Sequence, residues 1–245
     1  MNVRYAAISE PGMRRTENQD SVLAVGASER FLFAVADGVG GLADGADASK
    51  TAIRTLEQSF KDGAKGEYSE SQLVADLSSA NARIVEARNP ETAKLSGSTI
   101  VTLLLQPEDQ SFVVAHVGDS RAYLVRNRKI EPLTGDHSLV ADQVRAGILT
   151  KEEAAASHNR HVITRSLGIN LELEVEVQAR RAAEKGDTFL LCSDGLTDVV
   201  TDDEIESLLA AMTSERDCAR ALVDLANERG GPDNISVVLV HVVGV

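Results

Sequence analysis

The sequence contains no tryptophan, and Phe, Tyr and Trp together supply only 3% of its 245 residues. A surface that stacks nucleic-acid bases on aromatic rings is therefore not expected. Only two cysteines occur, Cys192 and Cys218, too few to staple a chain of this size, and no zinc-ligand spacing surrounds them. A reducing, cytoplasmic location is expected. The first residues, Met1-Asn2-Val3-Arg4-Tyr5, run into a short alternating stretch without the apolar block of a secretory signal. No run approaches the roughly 18 apolar residues of a membrane-spanning helix. Basic residues are scarce too: 25 Lys and Arg stand against 38 Asp and Glu, a formal charge of −13. That balance opposes tight binding to a phosphate backbone, so neither nucleic acid nor a membrane is an expected partner.

What is present is an ordinary globular composition, 43% hydrophobic and 26% charged, in a chain long enough to bury a sizeable core. Short β-rich apolar runs bounded by Gly, Asp or Pro predict strands at Phe31 to Ala36, Ile100 to Leu105, Phe112 to Val117, Ala122 to Val125, Phe189 to Cys192 and Ile235 to Val243. Their near-continuous Val and Leu predicts sheets covered on both faces. Helical periodicity covers Ala46 to Phe60, Ser71 to Ala87, Asp202 to Met212 and Glu215 to Glu228. This order fits hairpin-rich sheets with helices outside them better than regular βαβ alternation. No linker or repeat divides the chain, so residues 1–245 are expected to form one domain. The polar, Ala-rich stretch from Leu139 to Arg165, with a short helix at Lys151 to Ala156, is expected to be a flap.

The informative acids sit at strand ends. Phe33-Ala34-Val35-Ala36 runs into Asp37-Gly38, Val113-Val114-Ala115-His116-Val117 into Gly118-Asp119, and Leu190-Leu191-Cys192-Ser193 into Asp194-Gly195, while Asp233-Asn234 precedes the last strand. One Asp-Gly alone is an ordinary turn. Several such ends brought together would crowd carboxylates that repel unless protons or cations intervene. An oxygen-only ligand set suits Mg²⁺ or Mn²⁺ better than zinc, and two such ions sharing a carboxylate suit in-line attack on phosphorus.

In order along the chain stand Arg15-Thr16-Glu17-Asn18-Gln19-Asp20, Val35-Ala36-Asp37-Gly38-Val39-Gly40-Gly41, Gly97-Ser98-Thr99 and His116-Val117-Gly118-Asp119-Ser120-Arg121-Ala122-Tyr123. Leu133-Thr134-Gly135-Asp136-His137-Ser138, Thr164-Arg165-Ser166-Leu167-Gly168, Leu191-Cys192-Ser193-Asp194-Gly195-Leu196 and Gly231-Pro232-Asp233-Asn234-Ile235-Ser236 follow. Together they resemble the motifs of bacterial metal-dependent protein phosphatases, the PP2C or PPM family. The resemblance implies an α+β, four-layer αββα sandwich of two mainly antiparallel sheets flanked by helices. It implies hydrolysis of phosphoserine and phosphothreonine in proteins by a metal-bridging hydroxide, reversing the work of a Ser/Thr kinase. It also implies two core Mn²⁺ or Mg²⁺ ions and a third, weaker one.

Carried over by position, Asp37 bridges the core ions, the Gly38 carbonyl ligates one, and Asp194 with Asp233 holds the other. Asp20 is a supporting carboxylate, Asp119 with Asp194 holds the third ion, and Arg15 clamps the substrate phosphate. A monomer acting on phosphorylated proteins is expected. Two departures stand out. Gln19 replaces a Glu common in the family, though bacterial relatives also accept Gln. Val39 and Leu42 occupy positions where relatives carry a histidine, which leaves the leaving-group proton to a metal-bound water, the expected source, or to another group. His116 and His137 are expected to pack structurally, His158 and His161 to face solvent, Cys192 to be a buried hydrophobe and Arg121 to brace its loop. The competing readings are a catalytically silent binding module and a two-metal hydrolase of another phosphate ester, such as a nucleotide.

Overall fold

A computed structural model of the chain describes residues 1–27, 30–39, 44–63, 68–87 and 96–244. Three strands, β1 (Asn2–Glu10), β2 (Asp20–Ala27) and β3 (Arg30–Asp37), lead into two helices, α1 (Gly45–Asp62) and α2 (Glu70–Glu86). Next come β4 (Ile100–Gln106), β5 (Ser111–Val117), β6 (Arg121–Arg126) and β7 (Lys129–Pro132), then two short helices, α3 (Leu139–Arg145) and α4 (Lys151–Ala155). The two-residue strands β8 (Glu176–Val177) and β9 (Arg181–Ala182) precede β10 (Thr188–Cys192). The chain finishes with α5 (Asp194–Thr197), α6 (Asp202–Ala210), α7 (Glu215–Glu228) and β11 (Ile235–Gly244).

The strands form two sheets, ordered β1-β11-β10-β6-β7 and β2-β3-β4-β5-β8, with β9 also pairing to β5. Every pairing among the described strands is antiparallel. Period-two alternation distributes side chains between the layers. In β3, Leu32, Ala34 and Ala36 pack with Ala52 and Leu56 of α1 and Leu77 of α2, whereas Phe33 and Val35 join the core that includes Leu124, Phe189 and Val238 of the other sheet. In β10 the roles reverse: Leu190 and Cys192 meet Ile205 of α6 and Leu222 of α7, while Phe189 and Leu191 face the opposing sheet. The result is helices, sheet, sheet, helices, the layering that the resemblance implied.

The six strands and four long helices read from the sequence are all present, with ends moved by a residue or two. β1 and β2 each occupy one edge of a sheet, with β7 and β8 at the opposite edges. The expected flap contains α3 in addition to the short helix at its centre. Its two ends are pinned together, since Leu139 N donates to Val162 O (2.8 Å) and Thr164 N to His137 O (2.8 Å). Gly40, Gly41 and Leu42 lie outside the described residues.

Candidate metal centre

Antiparallel pairing brings alternate strand ends to one rim, and the motif acids stand there. Asp20 opens β2 directly opposite Asp37, which closes β3. Asp119 follows β5, Asp194 follows β10 as the first residue of α5, and Asp233 stands two residues before the start of β11. The backbone around Asp37 is fixed on both sides: its carbonyl accepts from Thr99 N (2.8 Å) and its N–H donates to Thr99 Oγ1 (3.2 Å).

Two polar side chains tie the sheets together at this rim. Ser193, fully buried, donates through Oγ to Asp20 Oδ2 (2.8 Å) and accepts from Ser236 N (2.9 Å). Asn234 accepts from Gln19 N (2.9 Å) and donates to Pro11 O (3.1 Å) and Glu17 O (2.9 Å). The loop that carries Arg15 is thus fastened to the residue after Asp233. Gly12 in that loop has φ +72°, and a Cβ there would overlap the Asp233 carbonyl oxygen, so both space and backbone conformation call for glycine.

These elements enclose a cleft of about 390 Å³ lined by Arg15, Asp37, Gly38, Asp119, Asp194 and Asp233, with Val39, Thr99 and Ile163 also on its walls. Its electrostatics are those of crowded, desolvated carboxylates. Burial, followed by the charges of Asp20, Asp194, Asp119 and Asp233, holds the Asp37 carboxyl well above its ordinary range. Burial and then Asp119, Asp198, Asp233 and Asp20 do the same to Asp194. Asp119 is pushed up to about 7 by burial and by neighbouring Asp136. Burial drives Asp20 to about 6, partly offset by the Ser236 and Ser193 hydroxyls. Arg15, its side chain 45% exposed, places Nη2 2.7 Å from Asp233 Oδ2.

The structure therefore brings Arg15, Asp20, Asp37, Gly38, Asp119, Asp194 and Asp233 to one place. The bland expectations are also met. Arg121 grips Asp136 with two bonds of 2.8 and 2.6 Å and reaches Tyr123 Oη (3.3 Å). His116 and His137 are buried. Cys192 is fully buried, and desolvation pushes its thiol up to about 12, which removes it as a nucleophile. The ionisable cleft residues Arg160, His161 and Asp198 are not among the site residues expected from the sequence. His161 is half-exposed as expected, yet its Nδ1 lies 3.3 Å from Asp198 Oδ2. One ligand atom each from His161, Asp194 and Asp198 lie within 4.8 Å of one another. Asp198 follows Asp194 by four residues, the helical spacing that puts both on one face and the signal that could have found it.

The donor set fits divalent cations. Asp20 Oδ1 and Asp194 Oδ1 are buried without a hydrogen-bond partner among the described residues. An acceptor stranded in that way is costly unless a cation or a proton meets it. Hard oxygen ligands around a concentrated negative charge select Mg²⁺ or Mn²⁺.

Comparison with known proteins leads to the same place. The family profile described as Protein phosphatase 2C matches residues 13–227. The putative protein phosphatase 2C-type of Streptococcus pyogenes is 36% identical over 236 residues, 94% of each chain. The Mycobacterium tuberculosis serine/threonine phosphatase PstP/Ppp superposes with a TM-score of 0.87 at 34% identity, covering 98% of both chains. A structure of the catalytic domain of PstP in complex with two manganese ions gives 0.85 at 35% identity over 99% of both. With its motif acids gathered at one rim of an αββα sandwich, the chain belongs to the protein phosphatase 2C family of metal-dependent protein serine/threonine phosphatases.

Proposed function

We propose that the strand-end carboxylates form the metal centre of a phosphoserine/phosphothreonine phosphatase, with Arg15 as its phosphate clamp. The observation that carries this is the convergence of Asp37, Asp119, Asp194 and Asp233 on one cleft with Asp20 buried opposite Asp37, Asp20 and Asp194 having stranded buried oxygens. Asp37 and the Gly38 carbonyl would hold one cation, Asp37 with Asp194 and Asp233 the second, and Asp119 with Asp194 a weaker third. Asp20 supports the set from across the β2–β3 pair. Bound there, divalent cations neutralise the phosphate's charge and make hydroxide available near neutral pH.

The chain's own residues do the rest. Arg15 offers a planar, permanently charged fork to phosphate oxygens. Its partner, Asp233, is one of the proposed ligands and already lines the cleft, so a cation held by Asp233 would compete with the ion pair and leave the Arg15 guanidinium for substrate. Arg160 adds a second positive charge at the cleft wall. Fixed strand ends hold these groups without reorganisation, which is what phosphoryl transfer chiefly requires. Val39 supplies no proton, and the leaving alkoxide takes its proton from water.

The substrates are phosphorylated proteins of a Ser/Thr kinase pathway, met in the cytoplasm by a monomer whose residues 1–245 act as one domain with 139–165 as its flap. Both cysteines are free and buried, as a reducing compartment favours. Among the described residues no helix is long and apolar enough to cross a membrane. The test is manganese-dependent release of phosphate from a phosphothreonine peptide, set against Asp194→Asn and against nucleotides. Activity in the wild type alone, on the peptide, supports the proposal. Equal inactivity of both proteins across divalent metals would establish a silent binding module, and preference for nucleotides would transfer the site to another ester.

A further inference from the structure

Beside the cleft, two buried imidazoles and a carboxylate form a cluster to which the mechanism above gives no task. His116 and His137 stack with ring centroids 4.6 Å apart and planes 14° apart, and Glu176 of β8 completes the group. Neither histidine is more than 2% exposed. Their ligand atoms lie within 4.8 Å, so a transition-metal site is the first reading to consider. The hydrogen bonds decide against it. Gly118 N–H donates to His137 Nδ1 (3.1 Å), so that nitrogen is the acceptor and the neutral ring carries its proton on Nε2, which faces Glu176 Oε2 at 3.1 Å. No lone pair on His137 is left for a cation. His116 Nε2 donates to Gly135 O (2.9 Å), so its lone pair is on Nδ1, buried without a hydrogen-bond partner, and that one nitrogen beside a carboxylate already holding the His137 N–H is too small a set for a transition metal.

The same bonds point to a different task. His137 grips Gly118 twice, because its own N–H donates to the Gly118 carbonyl (3.0 Å) while its ring receives the Gly118 N–H. Gly118 sits at φ +109°, with the Thr99 side chain only 2.6 Å from where a Cβ would be. It is a tight turn whose next residue is Asp119, aimed into the cleft. From its other side His137 accepts Thr164 N (2.8 Å) at the root of the 139–165 segment, where Ser138 bridges Ile163. Glu176 fixes the tautomer by accepting from Nε2, as carboxylates behind ligating histidines do.

We infer that His137, oriented by Glu176 and stacked on His116, is a positioning residue that sets the Gly118–Asp119 turn and joins it to the root of the flap. The inference rests on the reading of Asp119 as a metal-centre carboxylate and deepens it. Acting through a neighbour, His137 touches neither substrate nor cation.

Two substitutions separate the ring's nitrogens. His137→Asn keeps an oxygen where Nδ1 accepts from Gly118 but cannot reach Glu176. His137→Gln reaches Glu176 but leaves Gly118 N–H without its acceptor. Three readouts are taken on folded, purified enzyme: turnover of p-nitrophenyl phosphate, the manganese concentration giving half-maximal rate, and amide exchange of the 117–121 segment in chelator. The Gln variant is expected to lose roughly 10- to 100-fold in turnover or to need correspondingly more manganese, the range found when support behind a metal ligand is removed. Its 117–121 amides should exchange roughly tenfold faster as the turn opens locally. The Asn variant should keep at least half of the wild-type values on all three. A merely structural role would lower thermal stability in both variants and would not rank Asn above Gln. Equal amide exchange in the two variants, or equal rates together with an equal manganese requirement, would overturn the inference. An Asp119→Asn enzyme with wild-type rates would remove Asp119 from the metal centre yet leave the bond at Gly118, which amide exchange reads directly.

Discussion

The carboxylate centre should destabilise the protein whenever its cations are removed, and Asp20 lets that cost be worked out. Asp20 is 6% exposed, and burial raises its carboxyl from 3.8 to about 6. A folded-state pKa above the unfolded value means that the native state prefers the protonated acid, so stability is greatest at low pH and is lost as pH rises between about 4 and 6. At about 1.4 kcal/mol per unit, the loss reaches about 3 kcal/mol above pH 6. Asp20→Asn removes the charge with almost no change of shape. The amide oxygen keeps the bond from Ser193 Oγ, and an NH₂ replaces the oxygen that lacks a donor. In chelator at pH 8 the variant should therefore be more stable than wild type by about 3 kcal/mol, roughly 6–12 °C in melting temperature for a chain of this length. The gap should close as pH falls to about 4. With manganese the order should narrow or reverse, because the wild type gains binding energy that the amide cannot match. Thermal denaturation of the two proteins across pH, with and without manganese, makes the comparison. A variant that melts below wild type in chelator at pH 8, by the same margin as at pH 4, would refute the claim that burying the Asp20 carboxylate costs the fold stability at this rim.

Other perturbations follow from the same geometry. Arg15→Ala should lower kcat/KM on phosphopeptides roughly 10- to 100-fold, the worth of a charge-assisted phosphate contact, with partial recovery in Arg15→Lys; steady-state kinetics reads it. Gly12→Ala, forced to φ +72° against the Asp233 carbonyl, should cost about 2 kcal/mol or more in urea denaturation and weaken manganese binding in calorimetry. Asn234→Leu strands the Gln19 N–H and the Pro11 and Glu17 carbonyls together and should cost about 3 kcal/mol in the same denaturation assay. Exchanging residues 139–165 for a relative's segment should alter the ranking of phosphopeptide substrates more than manganese affinity, and the opposite result would detach specificity from that segment.

The inner layers were legible because they are redundant. β3, β4, β5, β10 and β11 are buried on both faces, so their Val and Leu runs carry the strand signal twice. β1 and β2 are outer strands with mixed exposure, and Asp20-Ser21-Val22-Leu23-Ala24-Val25-Gly26-Ala27 holds Ala and Gly where a strand usually shows branched or aromatic residues. Only pairing with β3 settles it. The acids were legible because glycine turns mark strand ends, whereas their convergence depends on two sheets stacking in register. Arg160 and His161 follow a polar run with no periodicity of their own, and what brings them to Asp198 is the closure of residues 139–165 at Ser138 and Ile163.

The cleft draws its parts from positions far apart in the sequence. Arg15 meets Asp233 across 218 residues, β1 pairs along its length with β11, and Asn234 reaches back to Pro11, Glu17 and Gln19. During vectorial synthesis, therefore, the amino-terminal half can stack β3, β4 and β5 on α1 and α2 while the centre lacks Asp194, Asp233 and the strand that seats Arg15. Competence arrives in one late step, when β11 inserts between β1 and β10. On the proposed assignment of the centre, a nascent chain that has not yet reached β11 carries an incomplete cation site, so activity waits for that strand.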